Sequence, residues 1–228
     1  MIGGSPLNFA VGLRALGLEV EMVSALGDDV LGQQARSFLD AYGVGSAYVH
    51  SSTRPTGQVT VTIVDGEPQY DVDLGASWQE IQFPAQAAHR VRPELLYIGS
   101  TARQTRNNAA TLREIVSRLR PVHVMFDLNL RPGMYSPESV VEGLKLATMV
   151  KMNDEEWSML KALGVNCATP ADLVKEFNLD VLAVTKGDKG ASLYSAGGNF
   201  VSADGVVATV VDTVGAGDAF AAGAHNRR

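Results

Sequence analysis

The region 95–194 constrains the fold most, because strand-like and helix-like segments alternate along it almost without interruption. L-L-Y-I-G begins at Leu95, and V-H-V-M-F-D-L follows at Val122 as an almost continuous apolar run. Such runs are typical of parallel strands covered by helices on both faces. Between them, segment 112–119 has apolar residues at the i, i+3, i+4, i+7 spacing of a buried helix face. The alternation predicts an α/β fold with a doubly wound, mainly parallel sheet flanked by helices.

Further predicted segments complete the strand–helix alternation within 95–194 and extend it towards the N-terminus. Predicted helices cover 9–16, 31 to about 43, 137–146, 154–163 and 170–177, and predicted strands cover 19–24, 148–152, 181–185 and 191–194. Gly17 stops the first helix, and an acid of L-G-D-D (26–29) caps the second.

Residues 56–74 follow a different period. Val59, Val61 and Ile63 alternate with threonines, and Asp65-Gly66 is a hairpin turn signal. We therefore expect one domain over 1–228 with a β-hairpin lid inserted around 56–78. The hairpin is a flap over a site, a homodimer surface or an exposed hairpin with no role. The Ala-Ser-Trp segment at 76–78 either closes over a ligand or is simply packed.

Composition narrows the function classes. The net charge of −6 gives no basic footprint for nucleic acid. One cysteine, Cys167, cannot form an internal disulfide, which favours a reducing, cytoplasmic location. No apolar run has membrane-spanning length, and no signal peptide is visible. The four histidines lie far apart in the sequence and show no metal-ligand spacing.

Polar groups collect where the predicted strands end, which is where open α/β sheets bind ligands. They are Gly99-Ser100, Asp127, Asn129, Arg131, Lys151, Asn153, Thr185-Lys186-Gly187 and Asp212-Thr213. Several of these groups also fit an ordinary structural role that needs no ligand. Asp127 and Asn129 fit a cap or turn, Asn153 with Glu156 fits a capping box, and 185–190 fits a hairpin turn. Their convergence on one sheet edge favours a binding site.

A β-branched run at 206–211 leads into Gly215-Ala216-Gly217-Asp218 and an alanine-rich helix start. Glycines and a helix N-terminus together form an anion site. The turn is not a dinucleotide fingerprint, because Phe220 stands where the third glycine belongs. It is not a Walker A loop, because Asp218 stands where that motif has lysine. Asp218 is therefore either a helix-start carboxylate or a base beside a phosphate.

Six motifs in order resemble the PfkB, or ribokinase-like, family of carbohydrate kinases. They are G-G-S-P-L-N-F-A near the start, L-G-D-D-x-x-G at 26–32, D-L-N-L-R at 127–131, K-M-N-D-E-E at 151–156, T-K-G-D-K-G at 185–190 and D-T-V-G-A-G-D at 212–218. Y-D-V-D-x-x-A-S-W (70–78), G-S-T-A-R-Q (99–104) and D-L-N-L-R-P-G-M-Y (127–135) are most similar to fructokinases.

The resemblance implies an ATP-dependent sugar kinase, with fructose as the preferred substrate. Asp218 is then the general base that takes the proton of the sugar hydroxyl. Gly215, Ala216 and Gly217 supply the anion hole for charge on the γ-phosphate.

Other roles are implied at matching positions. Asn153 and Glu156 organise Mg²⁺ largely through water, and Asp212 and Val214 hold a monovalent cation such as potassium. Thr185, Lys186, Gly187 and Gly190 lie on the nucleotide side. Gly3, Gly4, Asn8 and Asp28 lie on the sugar side, and Arg131 and Arg103 contact the sugar or a phosphate.

The sequence also departs from the family pattern. Family members usually have a strand before the Gly-Gly pair that supplies an aspartate to the sugar, and helices after G-A-G-D. Neither is visible here, so we expect a chain truncated at both ends. The alternative to a kinase is then a non-catalytic relative that binds a sugar or nucleotide.

Overall fold

The computed structural model describes residues 2–64, 67–84, 92–206 and 215–225. The chain divides into two compact units. The first comprises Met1–Ala87, Thr105–Thr111 and Asp218–Arg228, and the second comprises Ala88–Gln104 and Leu112–Gly217. The single domain expected over 1–228 stays a prediction.

The first unit is built from short sheets and helices. Its complete elements are α1 (Ser5–Ala15), β1 (Glu21–Gly27), α2 (Val30–Ala41), β2 (Gly45–Ser52), β3 (Val59–Val64) and β4 (Glu67–Val72). Strands β1 and β2 pair in parallel, and β3 and β4 form an antiparallel hairpin. The hairpin predicted within 56–74 is confirmed, although its turn at 65–66 lies outside the described residues.

The core of the first unit forms where α1 and α2 cover the β1–β2 pair. Ala10, Leu39, Val44 and Val49 are buried together, with partly buried apolar side chains packed around them. The segment 76–78 is packed as well, because Ala76 and Ser77 are fully buried and the Ser77 hydroxyl donates to the carbonyl of Ala25. This favours packing over closure on a ligand.

The second unit contains a six-stranded mixed sheet. Its strands are β5 (Leu95–Gly99), β6 (His123–Asp127), β7 (Met149–Asn153), β8 (Val181–Thr185), β9 (Ala191–Ser195) and β10 (Phe200–Ala203). The spatial order is β10-β9-β8-β7-β6-β5. Strands β5 to β8 are parallel, β9 is antiparallel to β8, and β10 is antiparallel to β9. The predicted α/β class with a mainly parallel sheet is confirmed.

Helices flank this sheet. They are α4 (Pro137–Leu146), α5 (Asp154–Met159) and α6 (Pro170–Glu176), while α3 (Arg106–Leu119) begins in the first unit and α7 (Ala216–His225) begins in the second. Phe126, Val150 and Leu182 are almost completely buried on neighbouring strands. Gly143 allows α4 to approach closely, because a Cβ there would lie 2.5 Å from the Phe126 ring.

Two strands and several element bounds differ from the prediction: α1 begins at Ser5 rather than at 9, and β1 covers Glu21–Gly27 rather than 19–24. Neither β2 nor β10 was predicted, and α5 ends at Met159 rather than at 163. Of the run predicted as a strand at 206–211, residues 207–211 lie outside the described residues. Among the helices of the described part, none is long and apolar enough to cross a membrane.

Candidate active site

Asp218 lies in the first turn of α7 and is 8% exposed. Its Oδ1 accepts a hydrogen bond from the Ser5 hydroxyl at 2.7 Å, and its Oδ2 accepts one from Asn8 Nδ2 at 2.8 Å. Two neutral donors on α1 therefore fix the orientation of the carboxylate. Asn8 belongs to the predicted site, whereas Ser5 does not.

The packing of α1 against α7 explains this geometry. Ser5, Asn8 and Gly12 follow each other at helical spacing and share one face of α1. A Cβ at Gly12 would lie 2.9 Å from the Cβ of Ala222, one turn beyond Asp218 on α7. Only glycine permits this approach, so Gly12 brings the Asp218 carboxylate within reach of its two donors.

The predicted sugar-side residues occupy two places in the first unit. Gly4, with φ of 122°, precedes α1, and a Cβ at Gly3 would lie 3.7 Å from Asn8 Oδ1. Asp28 is exposed, whereas its neighbour Asp29 is the N-cap of α2. The capping expected of L-G-D-D is therefore confirmed at Asp29.

Asp29 also fixes the following loop. Its Oδ1 accepts from Gly32 N and from the Thr56 hydroxyl, both at 2.7 Å, and its Oδ2 accepts from Thr56 N at 2.7 Å. These hydrogen bonds to the charged form lower the pKa of Asp29, with the Thr56 amide as the largest cause. Asp29 is thus structural, which leaves Asp28 as the acid of the motif available to a ligand.

The glycine turn meets a buried lysine in the second unit. Gly215 has φ of 79°, and α7 begins at Ala216. A Cβ at Gly217 would lie 2.8 Å from Lys151 Nζ, so the ammonium lies directly beside the turn. An ammonium next to free helix N-terminal amides adds to the attraction for an anion.

Lys151 is held by a buried carboxylate. Its Nζ donates to Asp127 Oδ1 at 3.1 Å and to Oδ2 at 3.3 Å, and the Tyr97 hydroxyl donates to Oδ2 at 2.9 Å. Asp127 is fully buried. Burial raises the pKa of Asp127 to about 6, although the Lys151 ammonium opposes the shift. The suggestion that Asp127 is only a cap or turn residue is not supported by these contacts.

Asn153 and Glu156 form the capping box of α5. Asn153 Oδ1 accepts from Glu156 N at 2.7 Å, and Glu156 Oε2 accepts from Asn153 N at 2.9 Å. Glu156 Oε1 accepts in addition from Leu130 N at 2.8 Å. That third bond crosses to the segment after β6, where Asn129 adopts a left-handed φ of 37°. The capping-box alternative is confirmed, and Glu156 ties two strand ends together.

The oxygen atoms of Asn153 and Glu156 suit a metal ion held through water better than one bound directly. Each Glu156 carboxylate oxygen already accepts a backbone amide, and Asn153 Oδ1 is also used. In the described part of the chain, no three His, Cys, Asp or Glu side chains come together as a metal cluster. Mg²⁺ keeps several of its waters in proteins, and water can bridge to the remaining carboxylate lone pairs. Asp212 and Val214, predicted for a monovalent cation, lie outside the described residues.

The predicted nucleotide-side segment is the connection between β8 and β9, which are antiparallel. Thr185 ends β8, and the Lys186 amide donates to the Gly190 carbonyl at 2.8 Å. Lys186 Nζ donates to the buried Ser192 hydroxyl at 2.7 Å. Gly187 and Gly190 both have positive φ. The hairpin alternative is therefore confirmed as geometry, and the nucleotide role stays a prediction.

The two candidate arginines differ. The Arg103 side chain is completely buried, donates to the Ser139 carbonyl and pairs with Glu142 at 3.0 Å. Burial lowers the pKa of Arg103. Arg131 is only half-buried and lies at the end of D-L-N-L-R. Contacts within the second unit thus engage the Arg103 guanidinium. The predicted contact of Arg103 with the sugar or a phosphate stays a prediction, and so does that of Arg131.

Ser5 and Tyr97 extend the candidate site beyond the residues that the sequence singled out, whereas Asp127 and Lys151 were among its strand-end candidates. Ser5 lies inside the recognised G-G-S-P-L-N-F-A motif, which was the signal that could have found it. Tyr97 gave no signal, because a tyrosine in a half-buried strand is ordinary.

Comparison with known proteins agrees with this fold. The chain belongs to the pfkB family of carbohydrate kinases, whose family model matches residues 1–227. The family resemblance given by the motifs is therefore confirmed, and the family supports a phosphotransferase activity.

The names of similar proteins indicate several different substrates. Fructokinase of Escherichia coli is 30% identical, over 97% of this chain and 75% of that protein. Aminoimidazole riboside kinase of Salmonella typhimurium is 27% identical (97% and 72%), and an ATP-dependent ribose-1-phosphate kinase of Halopiger xanaduensis is 28% identical (97% and 71%). The sugar is therefore not fixed by family membership.

Solved structures show the same fold. A fructokinase from Xylella fastidiosa with bound ATP has a TM-score of 0.86 at 24% identity, covering 97% of this chain and 71% of that one. A fructokinase from Vibrio cholerae with fructose, ADP and calcium has a TM-score of 0.83 at 24% identity, covering 97% and 74%. The predicted ribokinase-like fold is confirmed.

Proposed function

We propose that this chain is an ATP-dependent sugar kinase that phosphorylates a hydroxyl of a small sugar, with fructose as the first candidate. The observation that carries the proposal is Asp218. It follows the Gly-Ala-Gly turn directly in the chain, and Ser5 and Asn8 hold both of its oxygens. A buried, oriented carboxylate next to an anion-binding turn suits deprotonation of a hydroxyl beside a phosphate.

In this mechanism Asp218 accepts the proton of the attacking hydroxyl as the bond to phosphorus forms. The backbone amides of Gly215, Ala216 and Gly217, with the Lys151 ammonium, stabilise the negative charge on the transferred group. Such preorganised donors supply most of the catalysis in phosphoryl transfer, because little covalent chemistry is left to the protein.

Mg²⁺, when bound, neutralises phosphate charge, and Asn153 and Glu156 are the residues proposed to hold its waters. Thr185, Lys186, Gly187 and Gly190 are proposed for the nucleotide, and Asp212 and Val214 for potassium. A homodimer through the β3–β4 hairpin is proposed because a two-stranded sheet leaves its strand edges unpaired. A monomer in size-exclusion chromatography would remove the dimer.

Fructose is preferred because fructokinases recur among the similar proteins. Gly3, Gly4, Asn8 and Asp28 are proposed to contact the sugar, with Arg131 and Arg103 as further candidates. Asn8 spends one amide hydrogen on Asp218, which leaves its other hydrogen and its carbonyl oxygen for a hydroxyl.

A coupled ADP-release assay tests the proposal with fructose, ribose, aminoimidazole riboside and ribose-1-phosphate as acceptors. We expect turnover with one acceptor, and a fall in kcat of about 10²–10⁴-fold in Asp218→Asn. Asp28→Asn is the matched control for a substrate-side acid, and it should raise KM for the sugar more than it lowers kcat. Sugar-stabilised melting without turnover would favour the non-catalytic relative instead.

A further inference from the structure

We infer that Asp127 and Tyr97 are positioning residues, which hold the Lys151 ammonium against the glycine turn so that it binds a phosphate oxygen of the nucleotide. The inference rests on the proposed function and assigns this buried network a role in it. Neither Asp127 nor Tyr97 is expected to touch the substrate.

The first argument is the free energy that desolvation of the Lys151–Asp127 pair costs. Lys151 stands in β7 between Val150 and Met152, which are almost completely buried. Its side chain is 10% exposed, and that of its partner Asp127 is 0% exposed. Apolar residues usually replace a buried ion pair without loss of stability, because desolvation offsets the Coulomb attraction. Fold stability alone therefore gives a weak reason for this pair, and function gives a better one.

The second argument is the direction of the ammonium. The carboxylate lies at the fully buried end of the pair, whereas Lys151 Nζ lies beside Gly217. Any side chain at position 217 would meet the ammonium, since a Cβ would already lie 2.8 Å from it. Glycine at 217 thus leaves space for both the turn and the ammonium.

The third argument is the count of donors. An ammonium has three hydrogens. In the described part of the chain, the hydrogen bonds of Lys151 go to the two oxygens of Asp127 alone. At least one N–H therefore remains for an anion at the turn.

Tyr97 completes the positioning. Its hydroxyl donates to Asp127 Oδ2, which fixes the carboxylate plane that in turn directs Lys151. A free lysine side chain loses considerable rotamer entropy when it binds a ligand. Holding it in place beforehand lowers the cost of binding a phosphate.

The experiment measures ADP affinity by calorimetry, together with KM for ATP and kcat, in the full chain. Lys151→Met should weaken ADP binding about tenfold or more, as expected for loss of a charge-assisted hydrogen bond. Asp127→Asn, which is isosteric and keeps the lysine, should weaken it by about 5–30-fold, and Tyr97→Phe by about 2–5-fold. The control Tyr194→Phe removes a hydroxyl from β9 and should change none of the three values.

A double variant separates positioning from direct binding. If Asp127 acts through Lys151, Asp127→Asn combined with Lys151→Met should bind ADP no more weakly than Lys151→Met alone. Unchanged ADP affinity in Asp127→Asn and Tyr97→Phe, with shifted melting temperatures only, would show a purely structural role and overturn the inference.

The outcomes also separate this inference from the proposed function. Nucleotide binding that depends on Asp127 without any sugar turnover would overturn the proposed kinase activity and support the positioning role. Sugar turnover with unaltered nucleotide affinity in the variants would support the kinase and overturn the positioning role. A folded wild-type chain that binds neither ADP nor ATP would overturn both.

Discussion

Asp127 and Asp218 are both buried carboxylates, yet their surroundings have opposite electrical character. Asp127 accepts from the Lys151 ammonium and the Tyr97 phenol. Asp218 accepts from a serine hydroxyl and a side-chain amide, both neutral. The first carboxylate is one half of an ion pair in the second unit, and the second is oriented by neutral donors in the first unit.

The difference indicates a division of labour. An ion pair commits a carboxylate to its cation, and a proton taken up by Asp127 would weaken its hold on Lys151. Neutral donors orient Asp218 without pairing its charge with a cation, which suits the role of base proposed for it. The different hydrogen-bond donors of the two aspartates are therefore consistent with the roles proposed for them, Asp127 as a positioning residue and Asp218 as the base.

Removing one donor from each carboxylate should give the largest contrast. Lys151→Met leaves the Asp127 charge buried with only neutral donors, so we expect a loss of about 3–5 kcal/mol in the free energy of unfolding at pH 7.5. Asn8→Leu removes a neutral donor from Asp218 and should cost about 1–2 kcal/mol. Urea unfolding at pH 7.5 measures both. Equal losses would contradict the contrast.

Asp127 should contribute a pH dependence of its own to stability, which comparison with Asp127→Asn isolates. Its pKa is raised from 3.8 to about 6 by burial, so the folded state binds this proton more tightly than the unfolded state does. Stability relative to Asp127→Asn should therefore fall as pH rises from about 4 to about 6, by at most about 3 kcal/mol, and stay level above. Chemical unfolding of both proteins across this range checks the sign. A rise with pH would show that the ion pair outweighs burial.

Moving α7 should disturb Asp218 and spare Asp127. Gly12→Ala brings two Cβ atoms to 2.9 Å, so we expect about 1–2 kcal/mol of destabilisation and a lower kcat as the Asp218 carboxylate shifts. The double variant Gly12→Ala with Ala222→Gly removes the collision and should recover kcat. ADP affinity should change less than kcat in both variants, and a larger loss of ADP affinity than of kcat would contradict the separation of the two carboxylates.

The smallest expected effect compares single hydroxyls. Ser5→Ala and Tyr97→Phe each remove one hydroxyl donor from one carboxylate, and each should cost about 1 kcal/mol of stability. Their kinetic effects should differ, because Ser5→Ala lowers kcat while Tyr97→Phe raises KM for ATP. Steady-state kinetics with varied ATP distinguishes them, and matching kinetic effects would remove the proposed division.

Local signals predicted much of the fold. The caps at Asp29 and Asn153 formed as expected, because a cap depends on residues only a few positions apart. Strand β2 was missed because G-S-A-Y-V-H-S-S contains few β-formers, and its backbone bonds come from pairing with β1. Strand β10 has four exposed residues and forms by pairing with β9.

Non-local pairs limited prediction of the site. Asp218 was found from the turn before it, but its donors Ser5 and Asn8 lie more than 200 positions away in sequence. Lys151 and Asp127 were each visible at strand ends, yet nothing local shows that adjacent parallel strands bring them into contact. Sequence gives the candidates here, and strand register decides which of them meet.

Glu156 has a consequence for spectroscopy. One carboxylate accepts the amide hydrogens of Leu130, in the segment after β6, and of Asn153, at the end of β7. Their exchange with solvent deuterium therefore depends on the same side chain, and local opening at either amide should also raise the exchange rate of the other. These two amides form a natural pair of probes for motion at this end of the sheet, readable without any ligand.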